Sequence, residues 1–163
     1  TEFNNEFKKH IHMLTNKNAI HFLTHSTFHP EYTFYKFLHK YKYIIEHNKI
    51  NKNDFCIDNG GILAAYGIRD THDLDYLTTS SVYISENDIG CENKNHRLEY
   101  KRIGYTIDDI INNEDNYFYH FSVKFMSLEI LKKFKFNRTH TIGTGHNKIR
   151  DKDIHDYESI KEL

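Results

Sequence analysis

Residues 60–79 read GGILAAYGIRDTHDLDYLTT, opening on two glycines and closing on an alternating segment in which Asp73 and Asp75 stand one residue apart. The alternation predicts a strand, with Leu74, Tyr76 and Thr78 on one face and Asp73, Asp75 and Leu77 on the other. The two carboxylates then project together. Adjacent carboxylates repel, and burying them unpaired is costly. A divalent cation offsets that repulsion, and Mg²⁺ (or Mn²⁺) takes carboxylate oxygens while keeping positions for water and substrate phosphates. The glycine pair upstream, Gly60 and Gly61, lets backbone N–H groups come close to such phosphates. Taken alone, the spacing Asp-x-Asp on a strand is more often a solvated face, so the surrounding residues must decide.

Working outward, FCID (55–58) reads as a short apolar run, ILAAYG as a short helix and SVYIS (81–85) as a second strand. RLEYKRI (97–103) is expected as a third strand and TIDDIINNED as a short helix ending in a turn. YFYHFSVKFM (117–126) is the best strand by residue type. Ser127 is placed to cap the basic helix LEILKKFKFNR. After the glycine-containing loop THTIGTGHNKIR, the segment DKDIHDYESIKEL is expected to be helical, with acidic residues near its start.

Residues 1–50 read as helical. Phe7, Ile11, Leu14, Ile20 and Leu23 fall near helical spacing. His29-Pro30 breaks the pattern, and a second helix follows with the stripe Phe34, Phe37, Leu38, Tyr41, Ile44 and Ile45. The polar connector NKINKND then divides an N-terminal helical extension, 1–50, from an α/β (α+β) domain, 51–163.

The chain has 163 residues, 38% hydrophobic and 28% charged, which suits a folded domain with a real core. A formal net charge of −1 gives no broad basic surface, so nucleic acid is not the expected partner. Cys56 and Cys91 have neither metal-site spacing nor a disulfide framework, which fits a reduced, cytoplasmic setting. No apolar run approaches the roughly 20 residues of a membrane span. No signal peptide pattern is visible, and an opening Thr reads as a fragment or a processed chain. His21, His25 and His29 recur at every fourth position, but without the Glu of a zinc motif, and among 13 histidines chance spacing is the simpler reading.

The order Gly-Gly, short helix with small residues, Gly-x-Arg, then His-Asp-x-Asp resembles the nucleotidyltransferase superfamily. The stretch GGILAAYGIRDTHDLDYL is similar to antibiotic and toxin–antitoxin nucleotidyltransferases, and to the choline-phosphate transferase and fukutin group. DNYFYHFSVKFMSLEILKKFKFNR and RDKDIHDYESI resemble segments that follow the core in such domains, among them domains of bacterial capsule and surface-glycan enzymes. The resemblance spans roughly residues 54–160 and leaves 1–50 uncovered.

It implies a nucleotidyltransferase-like mixed sheet flanked by helices, and metal-dependent transfer of a nucleotidyl or phosphoryl-alcohol group. The donor would be a nucleotide or a CDP-linked compound, and the acceptor a hydroxyl of a sugar or surface glycan. Asp73 and Asp75 would hold Mg²⁺ or Mn²⁺, with Glu99 as third ligand or base. Gly60 and Gly61 would cradle phosphates that Arg69 and Lys135 neutralise. Lys132 and Lys133 are read as a solvated face. Two other readings remain: a non-catalytic binding or scaffolding domain of a larger glycan-synthesis protein, and a toxin–antitoxin enzyme that modifies RNA or protein.

Overall fold

The computed structural model of the chain describes residues 2–82, 84, 94–140 and 149–163. They form a mixed α/β structure around a four-stranded sheet. The N-terminal third is helical: α1 (Glu2–Thr15), α2 (Lys17–His25) and α3 (Phe34–His47). The side chain of Asn16 caps α2 by accepting from the backbone N–H groups of Asn18 and Ala19. Then follow β1 (Phe55–Ile57), α4 (Gly60–Ala65), β2 (Tyr76–Thr78), α5 (Lys94–Arg102), α6 (Ile107–Asn112), β3 (Tyr117–His120), β4 (Val123–Met126), α7 (Leu128–His140) and α8 (Asp151–Ile160). The spatial order is β2-β1-β4-β3; β1 runs antiparallel to β2 and parallel to β4, and β3 pairs antiparallel with β4.

Three expectations are corrected. RLEYKRI lies mostly in helix α5, because His96 and Tyr100, four residues apart, turn into the core while Leu98 faces solvent. The segment 117–126 is a hairpin of two strands, turning at Phe121 and Ser122 with φ of 49° and 60°. Such a two-residue turn usually carries Asn or Gly, and neither residue marks it here. The expected strand at 81–85 falls partly outside the described residues, and Ser81, Val82 and Ile84 are not in a strand.

The core crosses the expected boundary at residue 50. Phe118 stacks on Phe22 of α2 and on Phe125 of β4, with ring centroids 4.6 and 5.5 Å apart. Phe34, Leu38, Tyr41 and Ile45 of α3 are buried in the same cluster as the sheet. By contrast, Phe7, Ile11, Leu14, Ile20 and Leu23 all face outward, and it is His12, Ala19 and Phe22 that turn inward. No helix among the described residues is long and apolar enough to cross a membrane.

A buried ion network fastens the C-terminal helices. Lys135 of α7 is fully buried, with its ammonium 2.5 Å from Asp153 and 2.8 Å from Asp156 of α8. Asp156 also takes a two-pronged contact from Arg69, at 2.6 and 3.0 Å. Asp153 meets Arg150 at 2.8 Å and Arg138 at 3.7 Å. Arg138 in turn grips both oxygens of Glu99, at 2.6 and 2.8 Å. Burial works against ionisation of Asp153, but Arg150, Lys135 and Arg138 outweigh it and hold the carboxyl at about 2. Removing the central cation leaves two neighbouring buried carboxylates with only their outer arginines, Arg69, Arg138 and Arg150, to offset them. Lys135→Met is therefore expected to destabilise the fold by about 3–5 kcal/mol. Lys133→Met, which removes the exposed Lys133–Glu129 pair, should cost no more than about 0.5 kcal/mol. Urea unfolding of the two variants checks the contrast.

Candidate functional site

The site grows from the end of the β1–β2 ladder. The register pairs Ile57 with Tyr76, and the next rung is the Asp58 N–H donating to the Asp75 carbonyl at 3.1 Å. Asp58 and Asp75 are therefore opposite one another, an arrangement that destabilises a sheet when both are charged. The expected strand over HDLDYLTT is shorter than its alternation predicts: β2 begins at Tyr76, so Asp73 and Asp75 both lie in the segment that leads into it. The structure thus collects three carboxylates at one end of the sheet, two expected from the sequence and one, Asp58, not.

Each is held differently. Asp73 is exposed, and one of its oxygens accepts from the Thr71 hydroxyl at 2.8 Å. Asp75 is half-buried and accepts from the Asn59 amide at 3.3 Å. Burial, followed by the charges of Asp58 and Asp73, pushes the Asp75 carboxyl up to about 6. Asp58 is completely buried: its Oδ2 accepts from His96 Nδ1 at 3.0 Å and from the Tyr100 hydroxyl at 2.8 Å. With Asp58 ionised, that contact places the proton of His96 on Nδ1. Asp58 Oδ1 and Asn59 Oδ1 are buried without a hydrogen-bond partner.

The chain turns sharply behind these groups. Asn59 has φ 50° and ψ −119°, a backbone conformation that a side chain rarely adopts. Gly61 serves packing: a Cβ there would lie 2.5 Å from Ile57 Cγ2, so α4 could not close on β1. A Cβ on Gly60 would come 3.0 Å from the Thr71 hydroxyl, the group that orients Asp73, and 3.9 Å from an Arg69 nitrogen. Asp70, next in the loop, accepts from the N–H groups of Thr33 and Phe34 at 2.8 and 3.0 Å, which anchors the site loop to the start of α3.

The other expected residues are committed elsewhere. Glu99 sits on a helix instead of a strand, and its carboxylate pairs with Arg138; burial opposes its ionisation, but Arg138 prevails and lowers its pKa. Lys135 is sealed between Asp153 and Asp156, out of reach of a phosphate in solution. Arg69 borders Gly60 but spends its guanidinium on Asp156. His21 uses one ring nitrogen on the Tyr66 hydroxyl and the other on the Leu163 carbonyl, and His29 contacts Glu31. Cys56 is buried and unpaired, while Cys91 lies outside the described residues.

Among the described residues no three His, Cys, Asp or Glu side chains form a ready metal-ligand set. Mg²⁺ does not demand one, since one or two carboxylates suffice when water and substrate phosphates complete the shell. The donor set present, the carboxylates of Asp58 and Asp75 with the unpartnered oxygens Asp58 Oδ1 and Asn59 Oδ1, is the all-oxygen chemistry that such a cation takes. No protein-family model matches this sequence, and neither do any curated protein or solved structure.

The site leaves a signature in pH dependence. A carboxyl raised from 3.8 to about 6 binds its proton more tightly in the folded chain. Its stabilising contribution is full below the unfolded value and is lost as pH rises through the folded one. In metal-free buffer, the melting temperature of the wild type should therefore fall relative to Asp75→Asn between about pH 4 and pH 6 and stay level above about pH 7. Parallel melting curves that never separate would show that Asp75 carries no raised affinity for a proton.

Proposed function

We propose that this chain is a nucleotidyltransferase-like domain that transfers a nucleotidyl or phosphoryl-alcohol group from a nucleotide donor to a hydroxyl acceptor, a sugar or surface glycan. The observation that carries this reading is the gathering of Asp58, Asp73 and Asp75 at the end of the β1–β2 ladder, behind a glycine turn. The connection strand, short helix, antiparallel strand agrees with the resemblance in the sequence. Asp73 and Asp75 would hold Mg²⁺ or Mn²⁺. When bound, the cation supplies charge neutralisation for the donor phosphates and for the oxygen that leaves.

The chain's own residues do the rest. Thr71 fixes the direction of Asp73. Asn59 holds one oxygen of Asp75, and the half-burial of Asp75 limits water around the reacting groups. The acceptor oxygen forms a bond to phosphorus as the bond to the leaving phosphate or nucleotide oxygen breaks. The bonding pair goes with the leaving group, and the hydroxyl proton passes to a site carboxylate or to water. Gly60 and Gly61 bring the backbone close to the ladder end, and Arg69 lies beside them.

One observation favours the rival, a non-catalytic binding or scaffolding domain. Among the described residues, the expected cations Arg69 and Lys135 are engaged in ion pairs, and the expected third carboxylate, Glu99, is paired with Arg138. Turnover decides between the two. Pyrophosphate or CMP release is measured over the four nucleoside triphosphates and CDP-linked alcohols, with sugar acceptors and Mg²⁺. An enzyme gives turnover that Asp73→Asn lowers by about 100-fold or more, since metal stabilisation of developing charge is worth several kcal/mol. Tight Mg²⁺–nucleotide binding with no turnover anywhere in the panel identifies the binding domain.

A further inference from the structure

Asp58 is a residue that the proposed reaction does not yet use. Its carboxylate is the most deeply buried acid of the site, and its two oxygens live in different surroundings. Oδ2 accepts two hydrogen bonds, from His96 and Tyr100 of α5. Oδ1 accepts none and is shielded from solvent. Across the ladder stands Asp75, and the next residue contributes a second buried acceptor, Asn59 Oδ1, also without a donor. A buried carboxylate oxygen that has no donor, on a residue opposite a second carboxylate, is stabilised by a proton or a cation. His96 and Tyr100 have fixed the carboxylate through Oδ2, which leaves Oδ1 as the free end.

We infer that Asp58 Oδ1 is an inner ligand of a divalent-cation site, shared with Asp75 across the β1–β2 ladder, and that His96 and Tyr100 are positioning residues that aim it. The site takes Mg²⁺ or Mn²⁺, hard cations that prefer oxygen donors. Asp58 and Asp75 are neighbours across the ladder, and the Asn59 amide is hydrogen-bonded to Asp75. Exposed Asp73 stands at the rim, where cation and donor phosphates would come together. The support that His96 and Tyr100 give through Oδ2 follows a general rule: ligating carboxylates are themselves hydrogen-bonded, and losing that support weakens metal binding by about 10–100-fold. The inference rests on the metal-dependent reading above in its choice of cation, yet it concerns binding and stands or falls without turnover.

The test is Mn²⁺ binding to the whole chain, followed by electron paramagnetic resonance of the free ion and needing no substrate. Asp58→Asn keeps an acceptor for His96 and Tyr100 and removes the charge. Its Mn²⁺ affinity should fall by about 10–100-fold. Its metal-free melting temperature should hold or rise, because a cross-strand repulsion has gone. Tyr100→Phe, which loosens the carboxylate without removing it, should weaken Mn²⁺ by a smaller factor. Should Asp58→Asn fail to fold, the wild type still decides: the Asp58 side-chain carboxyl carbon should shift with saturable Mg²⁺ in a ¹³C spectrum, in step with that of Asp75. The inference is overturned by wild-type Mn²⁺ affinity in Asp58→Asn, by an Asp58 carboxyl that ignores Mg²⁺ while Asp75 responds, or by a wild type that binds no Mn²⁺. Asp58-dependent binding with no turnover upholds the inference and defeats the transferase reading. Turnover with Asp58-independent binding does the reverse.

Discussion

The fully buried ammonium of Lys135 sets the relation between the two halves of the site. A fully buried lysine is tolerable only with its charge matched, and Asp153 and Asp156 match it. Each of those carboxylates has a second cation. Asp156 reaches Arg69, which lies at the head of the loop carrying Asp70, Thr71, Asp73 and Asp75. Asp153 reaches Arg138, and through it Glu99 on α5. That helix also carries His96 and Tyr100, the two donors to Asp58. One network therefore secures the loop behind Asp73 and Asp75 on one side and the helix behind Asp58 on the other. Such a network is weak evidence for stability when compared with an apolar core of the same shape. Its effect is geometric, since moving α8 would disturb both supports at once.

This arrangement explains why charged residues were the hardest to assign from sequence. Arg69, Glu99 and Lys135 are the right residue types for binding phosphate and metal, and they lie in the expected order. The same types also build buried ion pairs, and a linear sequence does not say which partner is nearer. The partners Asp156, Arg138 and Asp153 are 87, 39 and 18 residues away. Apolar spacing was more informative, because burial of a helix face is a local constraint. It located α3, whose stripe residues Phe34, Leu38, Tyr41 and Ile45 are the ones buried. It erred where local signals were ambiguous. RLEYKRI alternates like a strand but has its two inward residues four apart, and Phe121-Ser122 turns through positive φ without the Asn or Gly that would mark it. In α1 and α2 the most apolar stripe points outward, so the residues that pack inward, His12 among them, do not stand out by hydrophobicity.

The carboxylates were legible to different degrees for a related reason. Asp73 and Asp75 are spaced along the chain as a local pattern, so the sequence displays them. Asp58 joins them through register alone. Its signal was present in a weak form: it closes the apolar run FCID, the glycine pair turns the chain back, and a strand returning antiparallel after a short helix would bring the aspartate region beside it. Reading that requires committing to the pairing of β1 with β2 before asking which residues face each other. His96 and Tyr100 gave no such signal, because the segment that holds them reads as a strand.

The ladder end gathers conflicts that are scattered singly elsewhere. Lys124 donates to the carbonyls of Asn53 and Ile111, and Asp70 accepts three backbone N–H groups, while away from the ladder end His12 Nε2 is buried without a partner and Phe121 and Ser122 turn through positive φ. At the ladder end two carboxylates face each other, Asn59 takes an unfavourable backbone conformation, and two buried oxygens lack donors. A sequence selected for stability alone would resolve this locally, with Asn or Thr at 58 or 75 and Gly at 59. Natural folds keep such conflicts mainly where function requires them, with the surrounding structure holding them in place. Here the holding groups can be named: Tyr100 and His96 on one carboxylate, Asn59 on the second, Thr71 on the third, with the ion network of Lys135 beneath them. That concentration of strain and unsatisfied acceptors in one corner of a well-paired structure is the physical reason to look for chemistry there.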